Sequence, residues 1–157
     1  MEEQLQEKAV LVGLNITTNV KKIDDIDINE SMAELKELVK AAGAEVLASV
    51  IQNKPARDAA YFIGKGKVEE IRDYCHMLGA TMIVFNDELS GAHMRNIEDV
   101  TGLKVIDRTA LILDIFAQRS LSKEGKLQVE LAQLKYRMSR LQGLGTIMSR
   151  TGGGIGT

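Results

Sequence analysis

Four short apolar runs, separated by helix-like stretches, constrain the fold of this chain more than any other feature. The runs occupy residues 9–14 (AVLVGL), 45–51 (EVLASVI), 81–85 (TMIVF) and 103–106 (LKVI). A nearly continuous apolar run is typical of a strand that is buried on both faces of a sheet. Strands that alternate with helices of about a dozen residues indicate parallel βαβ crossovers. The sequence therefore predicts an α/β fold with a small, mostly parallel four-stranded sheet and flanking helices.

The predicted helices begin and end at residues that commonly cap helices. Ser31 followed by Glu34 is a capping-box pattern and places the start of the first helix there. Glycine stands at the end of each of the first three helical stretches, at Gly43, Gly79 and Gly102. Asp107 is a good N-cap for the helix after the fourth strand. We expect residues 1–106 to form the α/β domain and residues 107–157 to form a separate helical arm.

Residues 64–67 (GKGK) precede the second predicted helix and raise the possibility of a phosphate site, because N–H groups at a helix N-terminus attract anions. The chain nevertheless lacks the G-x-x-x-x-G-K-[ST] pattern of the nucleotide-binding P-loop. We place Glu69 and Glu70 in the first helical turn, where they suit the helix dipole and would repel a phosphate. A turn followed by dipole-matched acids is therefore favoured over a nucleotide site.

No set of side chains in the sequence predicts catalysis or metal binding. Cys75 and His76 are adjacent on a helix and cannot both face one metal, and no second pair accompanies them. His93 stands alone and is best explained as a surface or core histidine. Asp107 and Arg108 lie at a strand-to-helix junction, where open α/β sheets often bind ligands, but capping explains the aspartate. We predict no catalytic residues and no metal ligands.

Cysteine content and hydropathy indicate the compartment. The single cysteine, Cys75, precludes an internal disulfide and fits a reducing environment. No apolar run approaches the roughly 18 residues of a membrane span. The N-terminus, MEEQLQEKAVLV, has no signal-peptide pattern. We expect a cytoplasmic protein without a membrane span.

The last third of the chain combines an apolar helical stripe with an excess of positive charge. Large apolar residues recur at alternating steps of four and three, which places them on one helix face. This apolar stripe consists of Leu127, Leu131, Leu134, Met138 and Leu141. Residues 119–157 hold seven basic and two acidic residues, a net charge of +5, whereas the other residues hold thirteen and twenty, a net charge of −7. A basic appendage is a feature of RNA-binding proteins, although charge alone favours a solvated helix face.

Several longer motifs resemble the HflX family of ribosome-associated GTPases. They are GKGKVEEI at residues 64–71, NDELSGAHMRNIED at 86–99, VIDRTALILDIFAQRSLSKEGKLQVELAQLKYRMSRL at 105–141 and SRTGGGIGT at 149–157. The resemblance covers nearly the whole chain, and the block from residue 105 to residue 141 is highly specific to that family.

The resemblance implies that the chain is the N-terminal region of such a GTPase. In that family the glycine-rich loop continues, a second long helix returns antiparallel to the first, and a guanine-nucleotide-binding domain follows. We therefore expect the helical arm to be a truncated helical hairpin that ends at its tip. GTP and Mg²⁺ would bind the missing domain, so we expect no cofactor and no GTP hydrolysis in this chain.

The resemblance also implies a partner. Proteins of the family bind the large (50S) ribosomal subunit and split or rescue stalled ribosomes, and their N-terminal region contacts ribosomal RNA. Basic side chains bind RNA phosphates, and glycines let the backbone approach RNA closely. Carried onto this chain, the RNA-binding residues are Lys135, Arg137, Arg140, Arg150, Gly152, Gly153, Gly154, Ile155 and Gly156.

The apolar stripe is expected to be the interface for the returning helix. Without that helix, each exposed large apolar side chain forgoes roughly 1.5–3 kcal/mol relative to full burial. We expect self-association through the stripe, or a helix that folds back or frays.

A second function stays open on the sequence. The chain would then be a small-ligand or nucleotide (ATP)-binding α/β domain whose helix serves for oligomerisation. Steeply salt-dependent binding to 50S subunits would favour the ribosomal function, and saturable ATP or GTP binding would favour the alternative.

Overall fold

The described residues of the chain form four strands and five helices. The computed structural model describes residues 6–18, 27–120 and 122–150, with residues 140–150 described as helical backbone only. The strands are β1 (Lys8–Ile16), β2 (Glu45–Lys54), β3 (Met82–Phe85) and β4 (Lys104–Asp107). The helices are α1 (Ile28–Ala41), α2 (Lys65–Leu78), α3 (Gly91–Thr101), α4 (Arg108–Arg119) and α5 (Lys123–Arg150). None of the helices in these described ranges combines the length and the hydropathy that a membrane span requires.

The four strands form one sheet in the order β2-β1-β3-β4, and every neighbouring pair is parallel. The α/β architecture with a small parallel sheet is thereby confirmed. The chain moves from β1 outward to β2, then crosses to β3 on the other side of β1. The carboxyl ends of β1 and β3 therefore form the topological switch point, where open α/β sheets commonly bind ligands.

Both faces of the sheet are covered, which explains why the strands are apolar without alternation. On one face Val10 and Val12 pack with the buried side of α2 and with Ile97 of α3. On the other face Ala9 and Leu11 pack against α1 and α4. Leu111 and Ile115 of α4 belong to this second core, so α4 packs as part of the sheet domain. The division of the chain at residue 106 stays a prediction.

Two of the predicted helix starts are wrong. Helix α1 is capped by Asp27, whose side chain accepts the N–H of Asn29, so Ser31 and Glu34 lie inside the helix and form no capping box. Helix α2 already begins at Lys65, which leaves its first turn without an acidic residue. Glu69 and Glu70 therefore lie beyond the first turn, and their predicted match to the helix dipole there is wrong. For α1 the sequence offered Ser31 as a plausible cap four residues after the real one, Asp27.

The predicted ends of α2 and α3 and the cap of α4 are confirmed, whereas α1 ends at Ala41 with Ala42 as its C-cap, one residue before Gly43. Gly79 and Gly102 end α2 and α3 with φ angles of 76° and 70°, in the left-handed region that glycine adopts without a steric penalty. Asp107 is the N-cap of α4, and its Oδ1 accepts the N–H of Ala110 at 3.0 Å. Helix α4 ends at Arg119 and α5 begins at Lys123.

Candidate nucleic-acid interface

Helix α5 presents two faces of different character. Val129, Ala132, Gln133 and Tyr136 are partly buried on the face turned toward α3 and α4. The apolar stripe lies on the opposite face, because its positions are rotated by about half a helical turn at 3.6 residues per turn. The described leucines of the stripe and Met138 are between 49% and 56% exposed. The helix is therefore docked by one face, and the other face is open to solvent.

Two of the predicted RNA-binding residues flank the apolar stripe. Lys135 and Arg137 are exposed, and helical geometry places them on opposite sides of the stripe. The side chains of Arg140, Leu141 and Arg150 lie outside the described part of the chain. The tip, Gly152, Gly153, Gly154, Ile155 and Gly156, also lies outside it. The roles assigned to all these residues, and to the stripe as a pairing interface, stay predictions.

Asp107 joins α5 to the sheet. This carboxylate is fully buried at the end of β4, and its Oδ2 accepts the backbone N–H of Leu89 at 2.9 Å. The hydroxyl of Tyr136 donates to the same oxygen. One side chain therefore holds the start of α4, the loop between β3 and α3, and the middle of α5. The sequence predicted the capping role alone, because Tyr136 lies 29 residues away.

A second contact fixes α5 against α4. The Gln133 side-chain amide donates to Asp114 Oδ1 at 3.0 Å. Between these two contacts and the outer edge of β4, a cavity of about 610 Å³ opens among α3, α4 and α5. Its wall includes Met94 and Arg95 of α3 and Arg137 of α5. Arg137 therefore belongs both to the exposed surface of α5 and to this cavity.

A polar cluster occupies the carboxyl edge of the sheet, centred on Arg108. Its guanidinium donates to Asn86 Oδ1 at 2.9 Å and to Ser31 Oγ at 3.3 Å, and it forms an ion pair with Glu34 at 2.8 Å. The residues that the sequence offered as a capping box therefore serve as acceptors for Arg108. Because these partners belong to α1, the β3–α3 loop and α4, the cluster fastens those elements to one another.

Asp87 lies beside this cluster at the switch point. Burial raises the pKa of the Asp87 carboxyl, while a backbone hydrogen bond at Leu14 and the charges of Arg57 and Arg108 lower it. Its Oδ2 is buried and has no hydrogen-bond partner among the residues that the structure describes. Keeping the Asp87 carboxylate ionised in this buried position therefore lowers the free energy of unfolding.

The remaining sequence candidates have structural roles. The N–H of Gly64, at the start of α2, donates to Gln52 Oε1, and Lys67 pairs with Glu70. His93 forms a capping box with Ser90 at the start of α3, a role that its sequence neighbourhood did not reveal. Burial raises the pKa of the Cys75 thiol to about 11. In the described ranges no three His, Cys, Asp or Glu side chains come together as a metal site.

Two protein-family models together match most of the chain. Residues 29–117 match the family model described as "GTP-binding GTPase N-terminal", and residues 119–157 match "GTP-binding GTPase Middle Region". The chain belongs to the HflX family of GTPases. The two matches meet at residue 118, in the last turn of α4.

Individual HflX proteins agree with this assignment. GTPase HflX of Caldanaerobacter subterraneus subsp. tengcongensis is 50% identical over 97% of this chain, and that of Escherichia coli is 44% identical over 96%. The chain spans only 34% of the length of each of these relatives. The fold also resembles a GTP-binding protein from the archaeon Sulfolobus solfataricus, solved in complex with GDP, at a TM-score of 0.64 and 24% identity. That match covers 95% of this chain and 42% of the archaeal chain.

Proposed function

We propose that this chain is the ribosome-binding region of an HflX-type GTPase that associates with the large ribosomal subunit in the cytoplasm. The observation that carries the proposal is the solvent-facing side of α5, where Lys135 and Arg137 flank the apolar stripe. This helix lies in the segment whose net charge is +5, while the rest of the chain carries −7. Such an asymmetry directs one side of the molecule toward polyanions and turns the other away from them.

The proposed binding mode is electrostatic and largely independent of RNA sequence. Lysine and arginine side chains neutralise phosphates and release counterions, so affinity falls steeply with salt. Arg140, Arg150 and the glycines of residues 152–156 would extend the contact toward the tip of the arm. In the full-length parent, GTP and Mg²⁺ would bind a separate domain, and GTP hydrolysis would reset the cycle in which stalled ribosomes are split or rescued.

A pelleting assay with purified 50S subunits at graded salt tests the proposal. We expect binding by the 157-residue chain, with the logarithm of the affinity falling linearly against the logarithm of the salt concentration. Lys135→Glu should weaken binding and flatten this dependence. Lys36→Glu makes the same charge change on the exposed surface of α1 and serves as the matched control. Equal effects of the two substitutions, or binding that is insensitive to salt, would contradict the proposal.

The second candidate function is a small-ligand or nucleotide-binding domain, and the cavity beside α5 favours it. A volume of about 610 Å³ lies within the usual range of small-molecule sites, roughly 300–1,000 Å³. Saturable binding of ATP or GTP that survives Lys135→Glu, together with failure to pellet with 50S subunits, would support this alternative. Lys135 is suited to the distinction because it lies on the side of α5 away from the cavity.

A further inference from the structure

The cavity between the edge of β4 and helix α5 has mostly apolar walls. Met94 of α3, Ile106 of β4 and Leu113 of α4 supply much of this surface. Strand β4 is the last strand in the order of the described sheet, and its Lys104 and Ile106 line the cavity together with residues of α5. An apolar surface of this size suits a poorly solvated group better than a hydrated ion.

Three cations surround this apolar surface, each from a different element: Arg95 from α3, Lys104 from β4 and Arg137 from α5. None of the three forms an ion pair within 4 Å in the described part of the chain. Lys104 does attract Glu98 electrostatically, at longer range. Within the described residues, the cavity therefore carries positive charge that no ion pair neutralises.

The two acids in the wall are already engaged. Asp114 accepts the side-chain amide of Gln133, and a backbone hydrogen bond at Val105 and the charge of Lys104 act on the pKa of Glu98. Burial raises the pKa of the Glu98 carboxyl, against the lowering effects of that hydrogen bond and of Lys104. The two acids therefore interact with the protein itself, and the three cations are available to contact a ligand.

Tyr136 completes the wall on the side of α5. Its hydroxyl donates to the buried carboxylate of Asp107, which anchors the side chain to the sheet. An aromatic ring that is held in place loses little conformational entropy when a second flat group packs against it. A fixed aromatic residue, apolar walls and unpaired cations are the components of sites for unstacked nucleobases.

We propose that this cavity receives one unstacked base of a single-stranded RNA segment, with Arg95, Lys104 and Arg137 contacting the phosphates on either side of that base. This inference rests on the proposed function and assigns to it a binding site away from the glycine-rich tip. RNA is favoured over a free small molecule because Arg137 is continuous with the exposed basic side of α5. A strand that follows this side would therefore pass the mouth of the cavity.

A binding titration with a short single-stranded RNA, and with the same RNA carrying abasic nucleotides, tests the inference. Abasic nucleotides retain the phosphates and remove the bases. We expect the chain to bind the intact RNA about tenfold more tightly, as stacking of one base implies. Leu113→Trp places a bulky ring in the cavity without changing its charge and should make the two RNAs equivalent. Circular dichroism and thermal unfolding would establish that this variant is folded.

Charge variants provide a test that does not depend on filling the cavity. Arg95→Gln and Lys104→Gln should each reduce the slope of log affinity against log salt by about 0.7, the value for one phosphate contact on a single strand. Lys36→Gln removes an exposed charge from α1 and should leave the slope unchanged.

Four results would overturn the inference. Equal binding of intact and abasic RNA by the wild-type chain would show that the chain has no site for a base. A preference for the intact RNA that persists in the folded Leu113→Trp variant would show that the base binds elsewhere. Competition by AMP at the same concentration as the RNA identifies a free nucleotide as the ligand. In these cases salt-dependent pelleting with 50S subunits would leave the proposed function standing. Absence of binding to both RNA and 50S subunits would refute the two together.

Discussion

Asp107 is the residue whose replacement tests the architecture most directly. It is fully buried, and it accepts hydrogen bonds from Ala110 N–H, from Leu89 N–H and from the Tyr136 hydroxyl. These donors belong to α4, to the loop before α3 and to α5. Asp107→Ala therefore removes one acceptor group on which three elements converge, and we expect it to loosen α5 as well as destabilise the sheet domain.

The magnitude follows from the three contacts. Loss of the N-cap of α4 costs about 0.5–2 kcal/mol. The Leu89 N–H is left buried without its acceptor, at about 1–3 kcal/mol, and a hydrogen bond to a charged acceptor contributes about 1.5–3 kcal/mol. Contacts in one network are not additive, so we expect a loss of about 3–5 kcal/mol in the free energy of unfolding. A domain of this size has about 5–15 kcal/mol in total.

Urea unfolding followed by circular dichroism measures this loss, with Tyr136→Phe and the double variant completing a cycle. We expect Tyr136→Phe to cost about 1–2 kcal/mol and the two changes to be coupled by about 1 kcal/mol or more. The control is Asp114→Ala, which replaces an exposed aspartate of α4 that also contacts α5. It should lower the free energy of unfolding by less than about 1 kcal/mol. A cost below about 1 kcal/mol for Asp107→Ala, or additive effects of the pair, would refute the reasoning.

Three further predictions concern other parts of the chain. Asp87→Asn should raise the unfolding temperature at neutral pH, because burial raises the folded-state pKa of Asp87 above the unfolded value of 3.8 and its ionised form therefore costs stability. This gain should shrink as the pH falls through the folded-state pKa and disappear below the unfolded one; a lower unfolding temperature at neutral pH would contradict it. Cys75, with its pKa raised to about 11, should be alkylated by iodoacetamide at least about a hundredfold more slowly in native than in urea-unfolded chain, and similar rates would refute its burial. Finally, sedimentation should show self-association of the wild-type chain that Leu131→Glu with Leu134→Glu abolishes, whereas a wild-type monomer at all concentrations would exclude association through the apolar stripe.

The sheet could be predicted because each buried strand carries its own signal. Residues 9–14 are apolar at every position, and the structure explains this by placing Val10 and Val12 in one core and Ala9 and Leu11 in the other. The glycine residues at the helix ends are an equally local signal. The start of α1 could not be predicted from such a local signal, because Asp27 and Ser31 are both good caps. Only the fold determines which of them stands at the first turn.

The candidate site could be predicted only in part, for a related reason. The apolar stripe has the stronger periodic signal, whereas the docked face has only Val129, Ala132 and Tyr136 at helical spacing. Sequence periodicity therefore indicated the exposed face of α5 as its interface and gave no indication of the buried one. The cluster of Arg108 with Ser31 joins residues 77 positions apart, and no spacing rule along one chain can pair them.

The double-sided nature of α5 links the two proposals. A basic helix that merely projected from the domain could bind RNA without any consequence for the sheet. Here the face that meets the domain shares Tyr136 with the cavity and with Asp107, and Arg137 stands at the border between the cavity and the open side. RNA that contacts Arg137 and fills the cavity would therefore bind the docked arrangement of α5 and stabilise it by mass action. A variant that weakens docking, such as Tyr136→Phe, should accordingly reduce RNA affinity even though it removes no charge.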